Sequence, residues 1–144
     1  DAGLAPMRLA VNFSARQFQQ ASFISSVEEI LKDTNLDPNW LELEITESSI
    51  MKDAEKAIEK LLELKMMGIK VAIDDFGTGY SSLSYLHQFP IKTLKIDRCF
   101  VTSLGVKSGS RKIVQTIVAL GRIAHDSTSG QPGGAMRVAW PLNR

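Results

Sequence analysis

Short apolar segments that alternate with amphipathic helical segments most constrain the fold of this chain. Four segments have the patterns typical of strands: residues 8–13, 40–45, 69–73 and 93–96. Helical segments follow them: residues 23–31, a stretch from about Asp53, residues 83–86 and a stretch capped by Ser110. Strands separated by helices pair in parallel. We therefore predict an α/β fold of about four βα units, as part of a (β/α) barrel or as an open doubly wound sheet.

Length and composition are those of one globular domain. The chain has 144 residues, of which 44% are hydrophobic, and a net charge of +1. No apolar run approaches the roughly 20 residues that span a bilayer, and we find no signal-peptide pattern. The one cysteine excludes a disulfide framework, and the charge gives no indication of binding to a nucleic-acid polymer.

Polar side chains follow each predicted strand. Amide, carboxylate or ammonium groups end all four strands: Asn12, then Glu44 with Glu47, then Asp74 with Asp75, then Lys95 with Asp97. In parallel α/β folds the chemistry lies at the carboxyl ends of the strands. We therefore expect these side chains to share one rim of the sheet. The alternative for the Asp pair is a turn that simply uses Asp before Gly.

The residue types at this rim indicate a particular chemistry. Three converging carboxylates repel one another unless cations compensate their charge. Oxygen ligands favour Mg²⁺ or Mn²⁺, and the adjacent carboxylates of Asp74 and Asp75 suit two ions. Two such ions can clamp the attacking and leaving oxygens of a phosphoryl displacement, while Lys95 orients water or offsets phosphate charge. The sequence thus predicts metal-assisted phosphodiester hydrolysis.

Four segments of the sequence resemble the EAL domain, a bacterial phosphodiesterase of cyclic di-GMP. They are VNFSARQF (11–18), LELEITES (41–48), DDFGTGYSSLSYL (74–86) and LKIDRCFV (94–101). The resemblance implies a (β/α)₈ TIM-like barrel with one antiparallel strand and two Mg²⁺ or Mn²⁺ ions at the strand ends. It also implies hydrolysis of cyclic di-GMP to the linear dinucleotide pGpG.

The same resemblance implies a role for each matching residue. Asn12, Glu44 and Asp74 resemble metal ligands, and Asp75 resembles the ligand of the second ion. Lys95 is similar to the lysine that positions the nucleophilic water. Glu47 is similar to the glutamate that anchors the following loop. That loop, residues 76–82, resembles the one that links the metal site to a homodimer interface, and Gln17 belongs to the motif without a defined role.

Departures from the family pattern lead us to expect a partial barrel. The name-giving Glu-Ala-Leu motif and the later Gly-Val-Glu segment, each with a metal-ligating glutamate in the family, have no counterpart here. We assign residues 1–126 to a partial EAL domain and residues 127–144 to an unrelated or disordered tail. Residues 1–104 carry 11 basic and 15 acidic side chains, whereas residues 105–144 carry 6 and 1. A frameshift, a truncated gene or a cloning remnant explains this asymmetry, and a natural basic tail is the alternative.

These expectations lead to two main hypotheses for the function and to a third with a different fold. The first hypothesis is a cyclic di-GMP phosphodiesterase whose chain is weakly active or inactive, of low stability or self-associating. The second is a non-catalytic module of the same fold that binds cyclic di-GMP or a partner. A phospho-acceptor receiver domain also combines acidic residues with a lysine, but in a different chain order. The family is usually fused to sensory or GGDEF domains, so we expect a cytoplasmic domain, attached in the full protein to the inner membrane.

Overall fold

A computed structural model describes residues 7–78, 83–86, 88–102, 112, 114–119 and 137–139. Five strands follow in chain order: β1 (Leu9–Phe13), β2 (Leu41–Thr46), β3 (Lys70–Phe76), β4 (Thr93–Ile96) and β5 (Arg137–Ala139). The helices between them are α1 (Ala15–Gln19), α2 (Phe23–Thr34), α3 (Glu47–Met51), α4 (Ala54–Met66), α5 (Leu83–Leu86) and α6 (Arg98–Thr102). A short 3₁₀ turn covers Pro38–Trp40, and residues 114–119 are helical.

The strands form one sheet in the order β1-β2-β3-β4-β5, and every neighbouring pair is parallel. Parallel neighbours require a crossover between them, which helices α2 and α4 supply for the first three strands. This arrangement confirms the α/β prediction. It also means that the carboxyl ends of all five strands lie at the same edge.

The core lies between one face of the sheet and the helices. Alternate strand residues such as Leu43, Ile73 and Leu94 are buried, and they pack with apolar side chains of α2 and α4 such as Val27 and Leu61. A fully buried leucine or isoleucine side chain contributes about 1.5–3 kcal/mol. Because side chains alternate along a strand, the residues between these apolar ones point to the opposite face.

Helix α4 shows how local sequence sets the element boundaries. Asp53 caps the helix, since its Oδ1 accepts a hydrogen bond from the backbone N–H of Lys56 at 3.4 Å. Gly68 follows the last turn with φ +87°, the left-handed conformation that ends many helices. The predicted N-cap and the predicted terminating glycine are therefore confirmed.

Several elements differ from the sequence expectation. The first strand was expected to be buried, but β1 is a largely exposed strand whose Leu9 is 52% exposed. Among the described strands it lies at the sheet edge, with β2 as its neighbour, so fewer groups cover it. Helices α1, α3 and α6 were not predicted, because five residues are too few to show a helical period. Strand β3 runs on through Asp74 and Asp75 to Phe76.

The stretch assigned to an unrelated or disordered tail contains one regular element. Residues Arg137–Ala139 form β5 and pair in parallel with β4, with Lys95 opposite Ala139. The expectation that this stretch lacks regular structure is therefore wrong for these three residues, where Val138 packs against the core. The boundary at residue 126 stays a prediction. Ser110 and residues 79–82 lie outside the described residues, and no helix in the described part has the length and apolarity of a membrane span.

Candidate functional site

The strand register places the predicted site residues on one face of the sheet. Asn12 lies opposite Glu44, Glu44 opposite Ala72, and Thr46 opposite Asp74. Register partners in a parallel sheet point to the same side, as do residues two apart on one strand. Asn12, Glu44 and Asp74 therefore share the face opposite the helices, and all three lie toward the carboxyl ends of their strands.

Glu44 and Lys95 form an ion pair at the centre of this face. Glu44 is 7% exposed, and its Oε1 contacts the Nζ of Lys95, whose side chain is 22% exposed. The two residues belong to β2 and β4, so the pair spans the intervening strand. Ala72 of that strand is fully buried and is the register partner of Glu44, and its single methyl group leaves room for the lysine to reach across. A buried carboxylate needs such a countercharge, because desolvation disfavours an isolated charge.

Asp75 departs from regular strand geometry. The register between β3 and β4 shifts between Ile73 and Phe76, and Asp75 has φ +53°, a left-handed conformation. A bulge of this kind redirects a side chain and is common beside active sites. The backbone N–H of Asp75 donates to Oδ1 of Asp74 at 3.0 Å. The irregularity thus keeps two consecutive carboxylates near one another, where strict alternation would point them to opposite faces.

Partial burial and neighbouring carboxylates shift the pKa of Asp75. Partial burial raises the pKa of its carboxyl, and the negative charges of Asp74 and Asp97 add to this, whereas Lys95 opposes it. The pKa of Asp97 is lowered, chiefly by hydrogen bonds from Cys99, whose backbone N–H donates to Oδ1 at 2.7 Å. Interaction between the two carboxyls also raises the pKa of Asp75 and lowers that of Asp97. The sequence placed Asp97 at this rim but gave it no role in the site.

Glu47 holds the turn that follows β3. It is 1% exposed, and its Oε2 accepts a hydrogen bond from the backbone N–H of Gly77 at 2.7 Å. Gly77 has φ +100°, which favours glycine. The hydroxyl of Thr78 donates to the carbonyl oxygen of Asp75 at 2.9 Å, which closes the turn. The anchoring contact is thus present, whereas the predicted dimer interface falls largely on residues 79–82, outside the described residues.

Gln17 has a structural position. Its Oε1 accepts hydrogen bonds from the backbone N–H and the hydroxyl of Ser14, at 3.0 and 2.7 Å, and its own N–H donates to Ser14 Oγ. This reciprocal pair caps the first turn of α1. It fixes the direction of the chain just after Asn12, so the motif residue acts on the backbone that presents Asn12.

The chemical types of the donor groups at this face suit a divalent cation, whereas in the part of the chain that the structure describes their spacing does not form a metal-sized cluster. Within the described residues, no three His, Cys, Asp or Glu side chains gather closely enough to hold a metal ion. The convergence of three carboxylates on metal ions stays a prediction, and in this structure the positive charge beside Glu44 comes from Lys95. The oxygens of Asn12, Glu44 and Asp74, which share the face of Lys95, are the donors that Mg²⁺ and Mn²⁺ prefer.

Comparison with known proteins identifies relatives of the chain. Residues 1–126 match the model of the EAL domain family. The bifunctional diguanylate cyclase/cyclic di-GMP phosphodiesterase MucR of Pseudomonas aeruginosa is 48% identical over 122 residues, which cover 85% of this chain and 18% of that protein. The PaMucR phosphodiesterase in complex with c-di-GMP superposes with a TM-score of 0.79 at 47% identity, over 82% of this chain and 48% of that one. A manganese and cyclic di-GMP complex of Klebsiella pneumoniae BlrP1 gives 0.73 at 25% identity, over 94% and 32%.

Proposed function

Because the chain belongs to the EAL domain family, we propose that it contributes to a phosphodiesterase site that hydrolyses cyclic di-GMP to pGpG. The observation that carries this proposal is the shared face on which Asn12, Glu44 and Asp74 line up beside Lys95. The relatives support the substrate, since MucR is a cyclic di-GMP phosphodiesterase by name and has been solved with c-di-GMP.

We assign the metal ligands from this face. Asn12, Glu44 and Asp74 would hold one Mg²⁺ or Mn²⁺ ion, and Asp75 would serve a second with Asp74. Such ions supply Lewis acidity, lower the pKa of bound water and stabilise charge on a phosphoryl group. The manganese complex of BlrP1 supports a divalent cation in a related protein.

The chain's own residues perform the remaining tasks. The ammonium of Lys95 faces the developing negative charge of the phosphate and orients the attacking water, an electrostatic contribution that needs a fixed donor. Asp75, whose pKa is raised by burial and neighbouring charge, takes up a proton from that water at its carboxylate. Asp97 then accepts a hydrogen bond from the protonated carboxyl, and Glu47 keeps the turn in place through Gly77. The new bond joins the water oxygen to phosphorus, the bond from phosphorus to the 3′ oxygen breaks, and the proton held by Asp75 passes through solvent to that leaving oxygen, which becomes a hydroxyl.

We further propose that these 144 residues alone hydrolyse weakly or not at all. The ion pair between Lys95 and Glu44 is intact, and no three-carboxylate cluster exists in the described part. We also propose that the protein forms a homodimer through residues 76–82 and that it lies in the cytoplasm. In the full protein we expect sensory or GGDEF domains to be fused to it. The chain spans only 18% of the length of MucR, a bifunctional protein.

The second candidate function is binding without turnover. It is favoured by the same pairing, because a lysine that neutralises Glu44 stabilises the face without a metal. A non-catalytic module would bind cyclic di-GMP and would not release pGpG.

Chromatography of the products from cyclic di-GMP, with Mn²⁺, Mg²⁺ or a chelator, tests both candidates. The enzyme hypothesis predicts slow, metal-dependent release of pGpG that Asp74→Asn and Lys95→Met abolish. Asp33→Asn and Lys65→Met change the same residue types at exposed positions of α2 and α4, and they should behave like the original chain. Calorimetry with cyclic di-GMP separates the remaining outcomes: binding without product favours the binding module, and the absence of both contradicts the two proposals.

A further inference from the structure

Gly77 fits into an apolar seat that two other elements build. A Cβ atom on Gly77 would lie 3.0 Å from Cε2 of Phe100 and 3.3 Å from Cδ1 of Ile117. Phe100 belongs to α6, and Ile117 belongs to the helical residues 114–119 and is buried. The backbone of Gly77 therefore packs directly against both side chains, and a Cβ atom at this position would crowd both of them.

The same turn carries the acidic residue with unusual backbone geometry. Asp75 lies two residues before Gly77, and the hydroxyl of Thr78 bonds to its carbonyl oxygen. Its φ of +53° is costly for a residue with a side chain and persists only where surrounding contacts hold it. The contacts available are the buried carboxylate of Glu47 on one side of Gly77 and the apolar seat on the other.

Helix α6 also ties this turn to the end of β4. The helix begins at Arg98, directly after Asp97, and the backbone N–H of Asp97 donates to the carbonyl oxygen of Phe76 at 3.3 Å. Phe100 thus lies in the first turn of α6 after Asp97 and contacts Gly77, so it connects the ends of β3 and β4. The side chains of Lys95 and Asp75 are carried by those two ends.

We propose that Phe100 and Ile117 are positioning residues that hold the Asp75 carboxylate in the site by clamping Gly77. The inference rests on the proposed function, because it assigns to Asp75 a task at the metal and phosphate. Neither apolar side chain contacts the reacting groups. They act through the backbone of the turn, as outer partners that orient a metal ligand do, and loss of such partners typically weakens metal binding about 10–100-fold.

The test compares four variants of the full chain, of which three change Phe100 or Phe23 and the fourth changes Ile117. Phe100→Ala empties the seat, whereas Phe100→Leu keeps much of its volume and should restore behaviour close to the original. Phe23→Ala is the matched control, because it removes the same atoms from a buried position in α2 that packs against Phe13 and Phe18. Two quantities are measured for each: the affinity for Mn²⁺ by calorimetry, and the exchange rate of the Gly77 amide proton by NMR.

We expect Phe100→Ala to bind Mn²⁺ about tenfold more weakly and to exchange the Gly77 amide faster. The leucine variant and the Phe23 control should keep both values within about twofold of the original chain, well short of the loss expected when a positioning partner is removed. Ile117→Val removes only the Cδ1 atom that faces Gly77, and it should give a smaller loss in the same direction. If Phe100→Ala does not fold, this milder variant provides the test in its place.

The outcomes separate the two proposals. If the original chain binds no Mn²⁺, the proposed function is contradicted. If the original chain binds Mn²⁺ and folded Phe100→Ala or Ile117→Val binds it equally well with an unchanged Gly77 amide, the positioning role is overturned. An equal loss in the Phe23 control would also overturn it, since the effect would then be one of general stability.

Discussion

Removal of the Lys95 ammonium should leave a buried carboxylate without its countercharge. In Lys95→Met the side chain keeps an unbranched apolar stem and loses the terminal ammonium, while Glu44 is only 7% exposed. The backbone hydrogen bonds of β4 are untouched by this change. The experiment therefore isolates the ion pair that spans β2 and β4.

The burial of the two partners sets the expected magnitude. Breaking a fully buried pair costs about 3–5 kcal/mol, and an exposed pair contributes about 0.2–1 kcal/mol. The side chain of Glu44 is almost inaccessible and that of Lys95 is 22% exposed, so we expect a loss of about 2–3 kcal/mol, between these limits. Glu44→Gln keeps an acceptor for the partly hydrated ammonium and should cost about 1 kcal/mol.

Urea unfolding followed by circular dichroism measures both single variants and the double variant. The double variant, Glu44→Gln with Lys95→Met, should lose less than the sum of the two, with a coupling of about 1–2 kcal/mol. Lys65→Met on the exposed face of α4 is the matched control and should leave the free energy of unfolding unchanged. Additive losses within about 0.5 kcal/mol would refute the pairing, and with it the assignment of Lys95 as the countercharge of Glu44.

Three further changes test other parts of the account. Burial and neighbouring charge raise the pKa of Asp75, so the stability that its proton provides is present below the ordinary aspartate pKa and is lost as pH rises through the raised value. Asp75→Asn should therefore be more stable than the original chain near neutral pH, and a pH series of urea midpoints should show the difference vanishing on acidification. Glu47→Ala leaves the N–H of Gly77 without its acceptor and should cost about 1–3 kcal/mol by urea unfolding, with Glu47→Gln costing less; equal losses would contradict the anchoring. Ser14→Ala should cost about 1 kcal/mol by urea unfolding through the lost cap, and an unchanged free energy of unfolding would contradict the capping role.

Periodicity in the sequence was enough to place the strands and the larger helices. The alternation of Leu41, Leu43 and Ile45 with glutamates predicted β2, and β4 was predicted with its observed bounds. The exposure of β1 was not predictable, because an apolar run does not reveal whether a strand has neighbours on both sides. Helices α1, α3 and α6 were missed because none of the three is long enough to show a repeat.

The sequence likewise predicted some features of the site and missed others. A parallel sheet brings the carboxyl ends of its strands together, and the register places Asn12, Glu44 and Asp74 on one face. The contact of Lys95 with Glu44 depends on the small side chain of Ala72 between them, which is a matter of packing across three strands. The left-handed backbone at Asp75 was hidden for a similar reason, since a bulge arises from pairing with the neighbouring strand.

Anomalous diffraction from crystals of the chain grown with Mn²⁺ and cyclic di-GMP tests the central claim most directly. The claim is that oxygen-bearing side chains on successive parallel strands bind divalent cations at a common rim. We predict an anomalous peak about 2–2.5 Å from the side-chain oxygens of Glu44 and Asp74, with Asn12 as a further ligand and Lys95 displaced from Glu44. An empty rim at saturating Mn²⁺, with the ion pair of Glu44 and Lys95 intact, would contradict the claim.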